Sequence, residues 1–152
     1  MSMPHIVKLT ATVFLSGDLR NSTCGTMTTA MLTPTLVIYE RRPRWVPELQ
    51  RQFLGQDIRV RAASTLRDWE QLLLQSPQAV GLIELDAAPS QCLECLSRLM
   101  TRHPGPTVIV ITSAELRELE WPIRELGATL FLEEPLSGEE MAHHCRRALL
   151  LE

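Results

Sequence analysis

The sequence predicts an α/β protein: a doubly wound, five-stranded parallel sheet with helices on both faces. Three observations lead there. Short apolar runs alternate five times with stretches whose apolar residues recur every three or four positions. The links between them are short, which favours right-handed crossovers and parallel pairing. Only the run from Ile58 to Ala62 carries charges at alternate positions, which places it at a sheet edge.

Leu36-Val37-Ile38 has the composition of a buried strand. Pro43 to Leu54 follows as a helix, with Trp45, Leu49 and Phe53 at four-residue spacing and Gly55 to stop it. In the second strand Ile58, Val60 and Ala62 alternate with Arg59 and Arg61. Thr65 caps a helix carrying Leu66, Trp69, Leu72 and Leu73, closed before Pro77. Ala79 to Leu85 is the third apolar run. Ser90 to Arg102 is a helix with Cys92, Cys95, Leu96 and Leu99 on one stripe.

Thr107 to Ile111 is the fourth strand, without a polar residue after its first. Ser113 to Leu126 has a helical pattern but contains Pro122, whose ring costs about 3 kcal/mol or more inside a regular helix. That segment is expected to be broken, with Pro122 near the first turn of a short final piece and Trp121 at the break. Leu130 to Leu132 suits a strand buried on both faces, ended by Glu133-Glu134-Pro135. Ser137 and Glu140 form a capping box that opens a last helix, Glu139 to Leu150. The charged second strand at an edge fits the flavodoxin-like order 2-1-3-4-5, although helix periodicity alone leaves other doubly wound orders open. In that order the site lies outside the carboxyl ends of the first and third strands.

Residues 1–34 differ from the rest. They are rich in Ser and Thr, and Asp18 is their one acid. The apolar patch from Ile6 to Leu15 is interrupted by Lys8, Thr10 and Thr12, which spoils it as a signal peptide. A flexible extension is expected over 1–34, followed by one domain over 35–152. The net charge of −3 argues against a nucleic-acid partner, and no apolar run is long enough for a membrane span. Four cysteines without a secretory signal point to reduced thiols and a cytoplasmic setting. The 15 basic residues include a single lysine, Lys8.

Several of these stretches resemble the receiver domain of bacterial response regulators. Val108-Ile109-Val110-Ile111-Thr112-Ser113-Ala114 is similar to the family's fourth strand and its Thr/Ser-Ala turn. Gly127-Ala128, the Leu130-Phe131-Leu132 strand and the Glu134-Pro135 turn follow in the family's order, with Phe131 at the position of the switch aromatic. The likeness spans residues 35 to about 150. It is specific in the last third and only architectural in the first.

The departures matter most. The resemblance implies two acids at the end of the first strand to hold Mg²⁺; the matching positions here are Tyr39 and Glu40. It implies a phosphoacceptor after the third strand, for which Glu84 and Asp86 are the two candidates. It implies a lysine where Glu134 stands. Phosphoryl transfer to a carboxylate needs a divalent cation and a positive group aimed at the transferring oxygens. Glu40, Glu84, Asp86, Glu133 and Glu134 at one sheet edge would instead crowd negative charge, with Arg41, Arg42 or Arg44 to offset part of it. Glu84 and Glu134 facing each other would make Glu134→Lys stabilising.

The expectation is a non-phosphorylated pseudo-receiver, not an enzyme, with no cofactor beyond weak Mg²⁺ binding. It would act as an interaction module that meets a protein partner or a second copy through its fourth helix, fifth strand and fifth helix, Trp121 and Phe131 included. The alternative is a phosphoacceptor receiver with an atypical site at Asp86 or Glu84. Cys92 and Cys95 with His143, His144 and Cys145 have zinc-ligand chemistry, but an apolar i,i+3 cysteine pair favours core packing. Trp45, Trp69 and Trp121, one per helix, are expected to pack helices on the sheet.

Overall fold

The computed structural model describes residues 33–103 and 105–149. The Ile6–Leu15 patch and the extension expected before residue 33 lie outside the described residues. The described residues include five parallel strands: β1 (Thr35–Tyr39), β2 (Arg59–Ala63), β3 (Ala79–Glu84), β4 (Thr107–Thr112) and β5 (Leu130–Glu133). They lie in the order β2-β1-β3-β4-β5. Five helices connect and cover them: α1 (Trp45–Gln52), α2 (Leu66–Leu74), α3 (Pro89–Arg102), α4 (Glu120–Glu125) and α5 (Gly138–Ala148). The expected fold class and strand order both hold. No helix among the described residues is long and apolar enough to cross a membrane.

Side chains alternate along each strand and divide the core in two. On one face Val37, Ile83, Val108, Val110 and Phe131 meet Trp69 and Leu73 of α2, Cys92, Cys95, Leu96 and Leu99 of α3, and Ile123 of α4. On the other, Leu36, Ile38, Val80, Leu82, Ile109 and Ile111 meet Trp45, Leu49 and Phe53, together with Met141, Ala142 and Cys145 of α5. β1, β3 and β4 are almost wholly buried.

The first face is organised around Trp69. Its indole N–H reaches the carbonyls of Val37 on β1 and Leu82 on β3, at 3.0 and 3.1 Å. That approach is open because residue 81 is glycine. A Cβ there would stand 2.4 Å from the Trp69 ring.

Capping follows the sequence closely. Thr65 accepts from the Asp68 N–H, and the Ser137–Glu140 box is complete in both directions. Gly127, at φ +104°, closes α4 in a Schellman arrangement, with the Ala128 N–H reaching the Ile123 carbonyl.

Three expectations need correction. β5 is the second edge strand, so Phe131 alone is buried and Leu130 and Leu132 are half-exposed. An apolar run reads the same for a central strand as for an edge strand covered by helices. Ala62 is exposed, and Ala63 is the residue of β2 that reaches the core. Trp121 packs nothing on the sheet: it is 70% exposed. The 113–126 segment is broken as expected, into a 3-10 stretch, Ala114–Leu119, and the short α4. Pro122 falls in α4's first turn, where its missing N–H costs no helical bond, and Trp121 is turned outward.

Gly81→Ala is expected to destabilise the fold by about 1–3 kcal/mol, the range for forcing a methyl into a filled core. Trp121→Ala should change stability by less than about 0.5 kcal/mol, as for an exposed residue. Urea unfolding of the two variants beside the parent checks the contrast.

Candidate functional site

The carboxyl ends of β1, β3, β4 and β5 gather Tyr39, Glu40, Glu84, Asp86, Thr112, Glu133 and Glu134. Each acid there has a donor of its own. Glu40 turns into the chain that follows it. Its Oε2 accepts from the N–H groups of Arg44 and Trp45, at 3.0 and 2.7 Å, and its Oε1 from Val46 at 3.1 Å. It therefore caps α1, whose N-cap residue, Arg44, supplies no side-chain acceptor. The helix accordingly starts at Trp45 rather than at Pro43.

Glu84, the last residue of β3, accepts from the Arg41 N–H at 2.6 Å. Tyr39 lies close by. Burial raises its phenol pKa, and Cys92 and Glu84 add to the effect.

Asp86 sits in a 3-10 turn, Leu85–Ala87, just beyond β3. The register pairs Glu84 with Ile111, so two residues further on Asp86 meets the end of β4. Its Oδ2 accepts from the Thr112 hydroxyl at 3.0 Å and the Ser113 N–H at 2.8 Å, while Oδ1 accepts from the Ser113 hydroxyl at 2.5 Å. Thr112 is 1% exposed. Burial disfavours the Asp86 anion, but the bonds from Ser113 and Thr112 outweigh it and hold the carboxyl below its usual range.

Glu134 pairs with Arg44 at 2.6 Å, and Arg44 also stacks on Trp45, 4.7 Å from the ring centroid. Glu133 pairs with Arg117 of the 3-10 segment, whose hydrogen bonds hold its carboxyl below the usual range. The expected crowding of unrelieved negative charge is thus replaced by local pairing. Glu84 and Glu134 each bond to a different partner in the β1–α1 loop.

Reading the sequence in isolation missed Ser113, Arg117 and the backbone N–H groups that satisfy Glu40 and Glu84. Ser113 was legible as a hydroxyl beside Thr112, but its partner depended on the β3–β4 register. Phe131 is 8% exposed and packs in the core, so it offers little surface itself, whereas Trp121 stands in solvent. Cys92 and Cys95 belong to one core layer and Cys145 to the other, in line with the core packing expected of them. Burial pushes the Cys92 and Cys145 thiols up to about 12, as fits packing residues. His143 is exposed and His144 half-buried on α5.

Mg²⁺ takes oxygen ligands in near-octahedral geometry, with one or two carboxylates turned toward it. Here both oxygens of Glu40 and of Asp86 already accept hydrogen bonds from the chain, and Glu84 is turned to Arg41. Among the described residues no three His, Cys, Asp or Glu are grouped to hold a metal. The donor set does not fit the ion.

Two consequences are measurable. Asp86 has a depressed folded-state pKa, so its contribution is present above the unfolded carboxyl value of about 3.9 and is lost as pH falls through the lower folded value. Asp86→Asn should cost about 1–3 kcal/mol at neutral pH, toward the lower end because the carboxyl is only partly buried. The gap between variant and parent should close as pH drops below about 4, which urea titrations at several pH values will check. Glu134→Lys removes an exposed ion pair and sets a second cation beside Arg44. The expected change is destabilising and under about 1 kcal/mol, and stabilisation at low salt would count against the pairing.

No protein-family model matches the sequence, and no curated protein matches it. Solved structures do. The receiver domain of the TMAO respiratory system response regulator TorR aligns with a TM-score of 0.65 at 19% identity, covering 77% of this chain and 97% of that one. A response regulator from Thermotoga maritima aligns at 0.66 and 13% identity, over 78% and 99% of the two chains. A response regulator receiver protein from Pseudoalteromonas atlantica aligns at 0.64 and 17% identity, over 77% and 98%. At such identities the likeness is one of fold, and the conclusion is that this chain has the fold of a response-regulator receiver domain.

Proposed function

We propose that the protein is a pseudo-receiver: a receiver-fold signalling module over residues 35–152 that acts by protein–protein interaction without being phosphorylated. Asp86 carries this reading. Its two carboxylate oxygens take three hydrogen bonds from Thr112 and Ser113. Hydrogen bonds to a carboxylate lower its nucleophilicity, and attack on phosphorus also needs a bound cation and a positive group beside the transferring oxygens. The position where the receiver resemblance implies a lysine holds Glu134, and the chain's single lysine is Lys8. Of the arginines at this edge, Arg44 is engaged with Glu134 and Arg117 with Glu133.

On this reading Asp86 does internally, and permanently, what an added anion would do at the end of β4: it accepts from Thr112 and Ser113. The module then has one state. Interaction would run through the α4–β5–α5 side, where Trp121 is the exposed large hydrophobic. Activity as an enzyme forms no part of the proposal. The three described cysteines are free thiols, in keeping with a cytoplasmic setting.

Incubation with acetyl phosphate and Mg²⁺, followed by intact-mass measurement, tests it. The expected result is no phosphoryl-sized gain. A gain that disappears in Asp86→Asn or Glu84→Gln would establish the phosphoacceptor alternative instead.

A further inference from the structure

Between α3 and α4 runs an open groove of about 720 Å³, walled by Leu93 and Arg102 on one side and by Pro122, Glu125 and Leu126 on the other. It exists because α4 is only one and a half turns long and is preceded by a 3-10 stretch, which leaves the flank of α3 partly uncovered. Clefts of about 300–1,000 Å³ are sized to bury a small molecule, and this one has room for an indole. Trp121 is next in sequence to the groove residue Pro122 and has 70% of its surface in solvent. A large aromatic of this kind is the usual anchor of a protein interface.

We infer that the occupant is a second copy of this chain, in an isologous contact that seats Trp121 of each copy in the groove of the other. The inference rests on the interaction-module reading, names its partner and moves the contact from the β5–α5 side of α4 to its α3 side. A projecting side chain and a recess of fitting chemistry lie side by side on one short helix, as self-complementarity about a two-fold axis requires.

Charge supports the same occupant. Arg102 and Glu125 stand on opposite walls and form no ion pair among the described residues, so each can meet its opposite across the axis. Two neighbouring charges of the same segment are paired within the chain, Arg117 with Glu133 and Arg124 with Glu120.

Sedimentation velocity of the full chain over micromolar to millimolar concentrations tests the proposal. A concentration-dependent dimer is expected, and Trp121→Ala should weaken it by about 1,000-fold, the loss of two anchors of hot-spot size, one in each groove. Arg102→Glu and Glu125→Arg should each weaken it alone, because each places like charges opposite one another twice. Mixing those two single variants should restore a dimer, because both opposed pairs are then of opposite sign. A monomer at all concentrations, a dimer indifferent to Trp121→Ala, or no recovery on mixing overturns the contact. Those outcomes are distinct from the mass measurement above, which addresses phosphorylation only.

Discussion

Much of this fold depends on the indole of Trp69 packing directly against a glycine. In a parallel sheet buried on both faces, a helix can approach only as closely as the side chains beneath it allow. Gly81 removes one of those side chains at the centre of β3, and Trp69 takes its space. The ring's one polar atom would be costly to bury without a partner. It finds two carbonyls, on β1 and on β3, and so ties α2 across the central pair of strands. With α2 set, α3 lines up beside it through the Cys92–Leu99 stripe and the Arg98–Glu70 pair, and the first core layer is complete.

The same economy governs the carboxyl edge of the sheet. Five acids lie there, and each has a hydrogen-bond donor within direct reach in the folded chain. Glu40 uses the free N–H groups that every helix start presents. Asp86 uses the two hydroxyls and one N–H at the end of β4. Glu134 and Glu133 use arginines from elsewhere in the chain. In receivers the expectation is acids after the first strand and a cation after the fifth. Here a cation from the β1–α1 loop, Arg44, meets a carboxylate after β5, so the charges have changed places while the attraction between the two loops is kept. That exchange ties the β1–α1 loop to the end of β5.

The fourth helix shows how one residue redistributes surface. Pro122 fits only in a first helical turn, so the preceding residues wind as a 3-10 stretch and α4 is left short. A short helix covers less of its neighbour. The groove beside α3 and the outward turn of Trp121 are two results of the same break.

The order of elements, the capping box at Ser137, the glycine stops and the edge position of β2 were all legible in the sequence, because each rests on local pattern: periodicity, turn chemistry, alternating charge. So was the break at Pro122, a matter of backbone sterics alone. The departures from the receiver pattern were legible too, as residue identities. What the tertiary structure decided was pairing. Whether Leu130 to Leu132 forms a central or an edge strand depends on what lies beside it, and an apolar run reads alike in either place. Whether Glu84 and Glu134 repel or are each satisfied depends on which donors the β1–α1 loop delivers, more than forty residues away in sequence for the bond from Arg41 to Glu84. The role of Asp86 depended on the β3–β4 register, which sets Ser113 opposite it. Local propensity carries no information about such distant partners, and only the folded sheet brings them together.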